Sequence, residues 1–308
     1  VKKILKKLTL LFAVFAIILL GAGFYFSSEI ISFRKRTLLE DQTNLKIKNV
    51  SDFGLPVPKE ISFQSMGLVL KGWHFANPNS KGCGIITLHG ITGTRWGGLK
   101  YAPYFWKKGC DVFAYDARRH GESEGIYGTY GFYEKNDLAS AHKTFSEITN
   151  IPKNRIGIVG ESYGAATALL YVSGRPDVQF VLADSPFKSF HSIIAERAEV
   201  LYGKPILLLV PIAIAIAEWR ADFDEDEISI LDAAKGINIP SLLVHSESDD
   251  YTMPSHSKEI EENIATKKKK LYRTKNGAGH AKSILVNREE YERTIDEFIT
   301  NYSVYGSQ

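Results

Sequence analysis

Cysteine is nearly absent from this sequence: Cys83 and Cys110 are the only two among 308 residues. Two cysteines cannot staple a small disulfide scaffold, so the fold must rest on a hydrophobic core. There is no His-x-x-x-His pair and no cysteine cluster, which leaves a metal centre without sequence support. An excess of either charge is also nearly absent. The net charge is +3, and no long basic stripe is interleaved with aromatics, which argues against a nucleic-acid partner. The one dense basic run, Lys267–Lys270, precedes a short β-type stretch and reads as a solvated element end. No internal repeat or low-complexity tract is present, which excludes a repeat array. Hydrophobic residues, by contrast, make up 44% of the chain, enough for a large core.

The N-terminus differs in kind from the rest. Lys2, Lys3, Lys6 and Lys7 precede a run from Leu8 to Phe26 in which Thr9 is the only clearly polar side chain. As a helix those 19 residues span about 28 Å at about 1.5 Å per residue, close to a bilayer core of about 30 Å. A cleaved signal has a shorter apolar stretch and an A-x-A-like site. Gly21-Ala22-Gly23 is a poor version of such a site, so an uncleaved anchor is expected over a signal sequence. Four lysines before the span against Arg34, Lys35 and Arg36 after it favour, narrowly, an N-terminus inside and the remainder outside the cytoplasm. The expected division is an anchor over 1–28, a linker over 29–56 ending in Leu-Pro-Val-Pro, and a single folded domain over 57–308.

From Lys59 the pattern becomes regular. Glu60–Gln64 and Leu68–Phe75 read as a hairpin through Ser65-Met66-Gly67. Short apolar runs follow at Gly84–Leu88, Asp111–Tyr115, Arg155–Val159, Phe180–Ala183, Ser241–His245 and Lys270–Thr274. Helical spacing appears at Leu99–Lys108, Asn136–Thr149 and Glu289–Tyr302. Short strands alternating with helices predict an α/β fold, a mostly parallel sheet with helices on both faces. In such sheets ligands sit beyond the carboxyl ends of the strands. His89, Asp116, Ser162, Asp184, Asp249 and His280 all fall there.

The stretch "GIVGESYGAATALL", residues 157–170, runs from a strand into a helix through Gly-Glu-Ser-Tyr-Gly. A serine hydroxyl is a weak nucleophile and must be exposed to a base. A sharp strand-to-helix turn lifts it clear of the backbone, and the crowding there demands small neighbours such as Gly160 and Gly164. By chance alone G-x-S-x-G occurs in a chain this long with probability of roughly 0.1, so its weight rests on context. Four further motifs supply it, in order: "ITLHGITG" (86–93), "AYDARRHGESEG" (114–125), "LVHSESDDYTMP" (243–254) and "NGAGHA" (276–281). Together the five resemble the α/β-hydrolase fold family over about residues 59–302, and most of all its esterase and peptidase-like serine hydrolases with a modest helical cap.

The resemblance implies a Ser-His-Asp triad. Ser162 would attack the acyl carbon, His280 would take and return the proton, and Asp249 would orient the imidazole. Counting back from Pro254 selects Asp250 as the acid instead, and both remain open on the sequence. The backbone N–H groups of Tyr163 and Ile91 would hold the oxyanion. His89 and His120 would brace loops, and Asp184 would anchor the cap entrance. Arg119 stands where the family usually has glycine. Residues 187–240 form the expected cap insertion, and within it Pro205–Ala217 is thirteen nearly pure hydrocarbon residues, too short to span a bilayer. The family places the strands of Cys83 and Cys110 side by side. Buried thiols are expected over a disulfide, because adjacent strands make poor disulfide geometry.

The expected protein is thus a membrane-anchored hydrolase of carboxylic esters. Its catalytic domain lies outside the cytoplasm, it takes a small-molecule or lipid-like acyl substrate, and it needs neither metal nor organic cofactor. The sequence leaves the oligomeric state open. A serine peptidase, a thioesterase or a non-catalytic binding protein on the same fold are the competing readings.

Overall fold

The computed structural model describes residues 2–302 and residue 304. Its strands are β1 Lys59–Ser65, β2 Leu68–Phe75, β3 Cys83–Leu88, β4 Cys110–Tyr115, β5 Ile156–Glu161, β6 Val181–Asp184, β7 Ser241–Ser246 and β8 Lys269–Thr274. They form one sheet in the order β1-β2-β4-β3-β5-β6-β7-β8. β1 and β2 are an antiparallel hairpin turned at Met66 and Gly67, both at positive φ as a tight hairpin turn requires. β2 is antiparallel to β4, and every pairing from β4 to β8 is parallel.

Helices α1 Lys2–Ile31 and α2 Leu38–Asn44 precede the sheet. α3 Arg95–Gly98 and α4 Ala102–Lys107 join β3 to β4, α5 Glu134–Thr149 joins β4 to β5, and α6 Tyr163–Val172 joins β5 to β6. α7 Phe190–Tyr202, α8 Val210–Ala221 and α9 Ile230–Ala234 make the insertion between β6 and β7. α10 Pro254–Asn263 joins β7 to β8, and α11 Ser283–Val286 and α12 Arg288–Asn301 follow.

Both faces of the sheet are covered, which is why its inner strands read as unbroken apolar runs. Successive residues point to opposite faces. Ile86, Phe113 and Ile158 pack in one core with Leu138 and Phe145 of α5 and Leu169 of α6. Ile85, Val112 and Val159 pack in the other with Phe105 of α4 and Tyr291, Ile295 and Phe298 of α12.

Two expectations need correction. Cys83 and Cys110 are joined in a disulfide, not held as thiols. They are directly paired in register as the first residues of β3 and β4. Their Cα atoms lie 4.7 Å apart, inside the bridging range of about 4.4–6.8 Å, so adjacency does not forbid the bond. Residues 29–56 are also more than a linker. Thr37 and Glu40 close a capping box on α2, and Leu55 is buried in the core. The buried Asp41 accepts hydrogen bonds from the N–H and Oγ of Thr94, both at 2.8 Å.

α1 is long and apolar enough to cross a membrane, with mean hydropathy 2.4 in its most apolar window, a test that signal sequences also pass. Its first four turns expose Phe12, Phe15 and Ile17. Its last two and a half turns bury Gly23, Ser27, Ile30 and Ile31 against the rest of the protein.

Candidate active site

Ser162 sits between β5 and α6 at φ 51°, ψ −116°. A non-glycine residue in that region costs about 1–3 kcal/mol and persists only where its surroundings enforce it. Here they do. A Cβ on Gly160 would lie 2.4 Å from the Gly164 carbonyl oxygen. One on Gly164 would lie 2.7 Å from the His89 oxygen and from Leu88 Cβ. Glycine is needed at both positions because backbone from β3 and from the new helix occupies the space. The Ser162 N–H donates to the Asp184 carbonyl at 2.8 Å, which fixes the height of the turn.

The acid and histidine loops close on one another. Asp249 Oδ2 lies 2.8 Å from His280 Nδ1. Asp249 Oδ1 accepts the N–H groups of Tyr251 at 2.9 Å and Thr252 at 3.1 Å. Asp250 is exposed, so of the two candidates Asp249 is the carboxylate that meets the histidine. Burial works to raise the Asp249 pKa. Hydrogen bonds from His245 and His280, the charge of His280 and the Tyr251 N–H outweigh it and hold the carboxyl well below the usual carboxylate range. His280 Nε2 is buried and without a hydrogen-bond partner among the described residues.

Two contributors escaped the sequence reading. His245, fully buried, places Nε2 3.2 Å from Asp249 Oδ2 while Ser257 Oγ lies 2.6 Å from its Nδ1. Thr252 Oγ1 is 3.2 Å from both Asp249 Oδ2 and His280 Nδ1. The His-Ser-x-x-Asp spacing was the only trace of the first, and nothing local marked the second.

Glu161 ties three loops together. Its Oε1 accepts the Gly90 N–H at 3.2 Å, and its Oε2 accepts from the Lys100 ammonium, which also donates to the Ala281 carbonyl beside His280. The Ile91 and Tyr163 N–H groups have no protein acceptor among the described residues. Both residues border the same cavity as Ser162.

A family model described as serine aminopeptidase, S33, matches residues 81–212. The uncharacterized protein YqkD of Bacillus subtilis is 36% identical over 312 residues, spanning 96% of this chain and 98% of YqkD. The chain belongs to the α/β-hydrolase family. The solved esterase Pf2001 of Pyrococcus furiosus superposes on this hydrolase with TM-score 0.67 at 25% identity, over 82% of this chain and 96% of that one. The acylaminoacyl peptidase of Pyrococcus horikoshii shares its fold, with TM-score 0.61 at 18% identity over 81% of this chain and 42% of that one. Hydrolysis is therefore this family member's class of activity.

The hydrolase's remaining polar residues at the strand ends are engaged elsewhere. His89 Nε2 accepts the Ala117 N–H at 3.1 Å, and His120 Nε2 accepts the Thr92 N–H at 3.2 Å. Burial, helped by the neighbouring His89, pushes the His120 pKa well down, so it stays neutral and acts as a brace. Asp116 binds Arg95 through Nε at 3.1 Å and Nη2 at 2.7 Å. Asp184 accepts the phenol hydrogens of Tyr101 and Tyr291, both at 2.9 Å. It secures α12 through Tyr291 rather than the cap entrance. Above Ser162 lies a mainly apolar cavity of about 310 Å³, walled by Tyr130 and Phe187 from the body and by α7 and α8 from the cap.

Proposed function

We propose that this hydrolase cleaves a carboxylic ester through an acyl-enzyme, with Ser162, His280 and Asp249 as its triad. The observation that carries the reading is the 2.8 Å contact of His280 Nδ1 with a depressed, buried Asp249, at the mouth of the same strand ends as a serine on a strained elbow. The ionised Asp249 keeps the proton of the neutral imidazole on Nδ1, leaving Nε2 as the base. Ser162 Oγ attacks the acyl carbon while His280 Nε2 takes its proton. The tetrahedral oxyanion rests on the N–H groups of Tyr163, at the start of α6, and Ile91. The C–O bond to the leaving group then breaks, and the alcohol departs with the proton from His280. Water, deprotonated by the same nitrogen, releases the acid and restores Ser162.

The cavity supports an ester of an apolar acid. The apolar length of α1 supports an anchor, and the Cys83–Cys110 bond supports an oxidising compartment outside the cytoplasm for the domain over 57–308.

Labelling of the full chain in detergent with a fluorophosphonate tests the reading. Stoichiometric labelling of the wild type is expected, with none of Ser162→Ala and labelling at least about a thousandfold slower in His280→Ala. A folded wild type that takes no label would overturn it.

A further inference from the structure

The last two and a half turns of α1 are built into the site rather than laid beside it. Arg220 of α8 donates to Ser27 Oγ and Ser28 Oγ, both at 2.7 Å. Arg119 donates to the Ser32 and Phe33 carbonyls at 2.8 and 3.0 Å, at the helix's negative end. The Gly128 N–H donates to the Ile31 carbonyl at 3.0 Å. A Cβ on Gly23 would lie 2.7 Å from Ile212, and one on Gly128 would lie 2.4 Å from the Phe33 ring. Phe33 itself packs 6.2 Å, centroid to centroid, from Tyr163, the residue after the nucleophile.

The cavity above Ser162 is completed by these turns and by Phe33 just beyond them. Phe26, Ile30 and Phe33 line one side of it, with Ile194, Val210 and Ala213 of the cap also in its wall. Gly23 meets Ile212, and Ser28 meets Arg220, so α8 runs parallel to α1. The segment that precedes α8, Lys204–Leu208, therefore lies toward the bilayer-length part of α1. There the cap exposes Val200, Leu201 and Leu208, the last 82% exposed. Leu201 and Ile206 of this tip line the cavity, as Ser162 does. The cavity thus runs from the nucleophile to the cap tip beside α1, its wall mainly apolar, with Glu29 and Arg197 as its charged members.

We propose that α1 is a wall of the acyl pocket, and that the substrate is an amphiphile with one long acyl chain, drawn from the bilayer between α1 and the cap. The proposal rests on the reading of Ser162 as the nucleophile and adds the substrate class. A water-soluble short ester needs no such cavity. A volume near the bottom of the usual ligand-pocket range, about 300–1,000 Å³, takes one chain rather than two.

The test uses the full chain in nanodiscs. Wild-type enzyme is expected to favour a palmitoyl nitrophenyl ester over the acetyl ester in kcat/KM, and to turn over the palmitoyl ester faster in its own disc than in separate vesicles. Ile30→Trp, which fills the cavity from α1, should lower the palmitoyl-to-acetyl ratio about tenfold, the loss of roughly two buried methylenes. Ala213→Leu should do the same from the cap, and serves if the first variant does not fold. A ratio unchanged in a folded variant overturns the wall, and equal rates in the two lipid arrangements overturn the bilayer route. Palmitate binding to Ser162→Ala, about tenfold weaker when Ile30→Trp is added, is read without chemistry. It stands or falls even if fluorophosphonate labelling fails, and so separates this proposal from the triad.

Discussion

Ser162 keeps its strained backbone because two glycines leave room for nothing else. Gly164→Ala would drive a methyl group into the His89 carbonyl and Leu88, both backed by the sheet. We expect a loss of about 1–3 kcal/mol of stability, the usual cost of overpacking, together with much slower fluorophosphonate labelling. Urea unfolding and the labelling rate, measured on the same protein, check it. At this scale the site was legible where chemistry leaves a local mark. Ser162 stands between required glycines, and His280 stands in a glycine loop after the last strand. Asp249 and Asp250 are neighbours with identical side chains, and only the turn from Ser246, in which the Asp249 N–H reaches the Ser246 carbonyl at 3.2 Å, decides which faces the histidine. Thr252 and His245 gain meaning only from partners brought near by folding. Arg119 was visible as a departure from the family pattern, but its use, holding the end of α1, lies 86 residues away in the chain.

At the scale of elements, the strands were readable because each is a short apolar run bounded by turn residues. The structure extends four of the eight by one residue, as with β3, which starts at Cys83 rather than Gly84. α10 was not read, because its exposed face is mostly charged and only His256, Ser257 and Ile260 are buried. The tie between β3 and β4 could not be decided either, since it depends on register and not on spacing. That bond closes a loop with a sequence separation of 27. Reducing it, or replacing both cysteines by serine, should lower stability by about 3 kcal/mol in urea unfolding. The labelling of Ser162 should survive in the folded protein, because the bond lies at the opposite end of the strands from the site. Unfolding midpoints that coincide with and without reductant would contradict this.

For the molecule as a whole, pH acts on stability through groups buried away from the site. His142 accepts from the Tyr171 hydroxyl at 2.8 Å and donates to the Lys153 carbonyl at 3.1 Å, an arrangement that suits the neutral ring. Burial brings its pKa down to about 4 against backbone bonding that would raise it. Between about 6.5 and 4 the unfolded chain therefore binds a proton that the folded one refuses. Stability should fall as pH drops through that window, by on the order of 3 kcal/mol, and level off below it. His142→Gln should flatten this part of the profile in denaturant titrations at stepped pH, and an unchanged slope would refute the assignment.

The clasp between Arg220 and Ser28 joins residues 192 positions apart. α1 is thus among the last elements to find its place, since it must wait for α8, far along the chain, to receive it. A contact so distant in sequence slows folding, because the loop must close before the contact can repay it. A helix already fixed in a bilayer shortens that search by holding one partner still. A bilayer-held α1 would in this way serve as a template on which the rest of the domain completes itself.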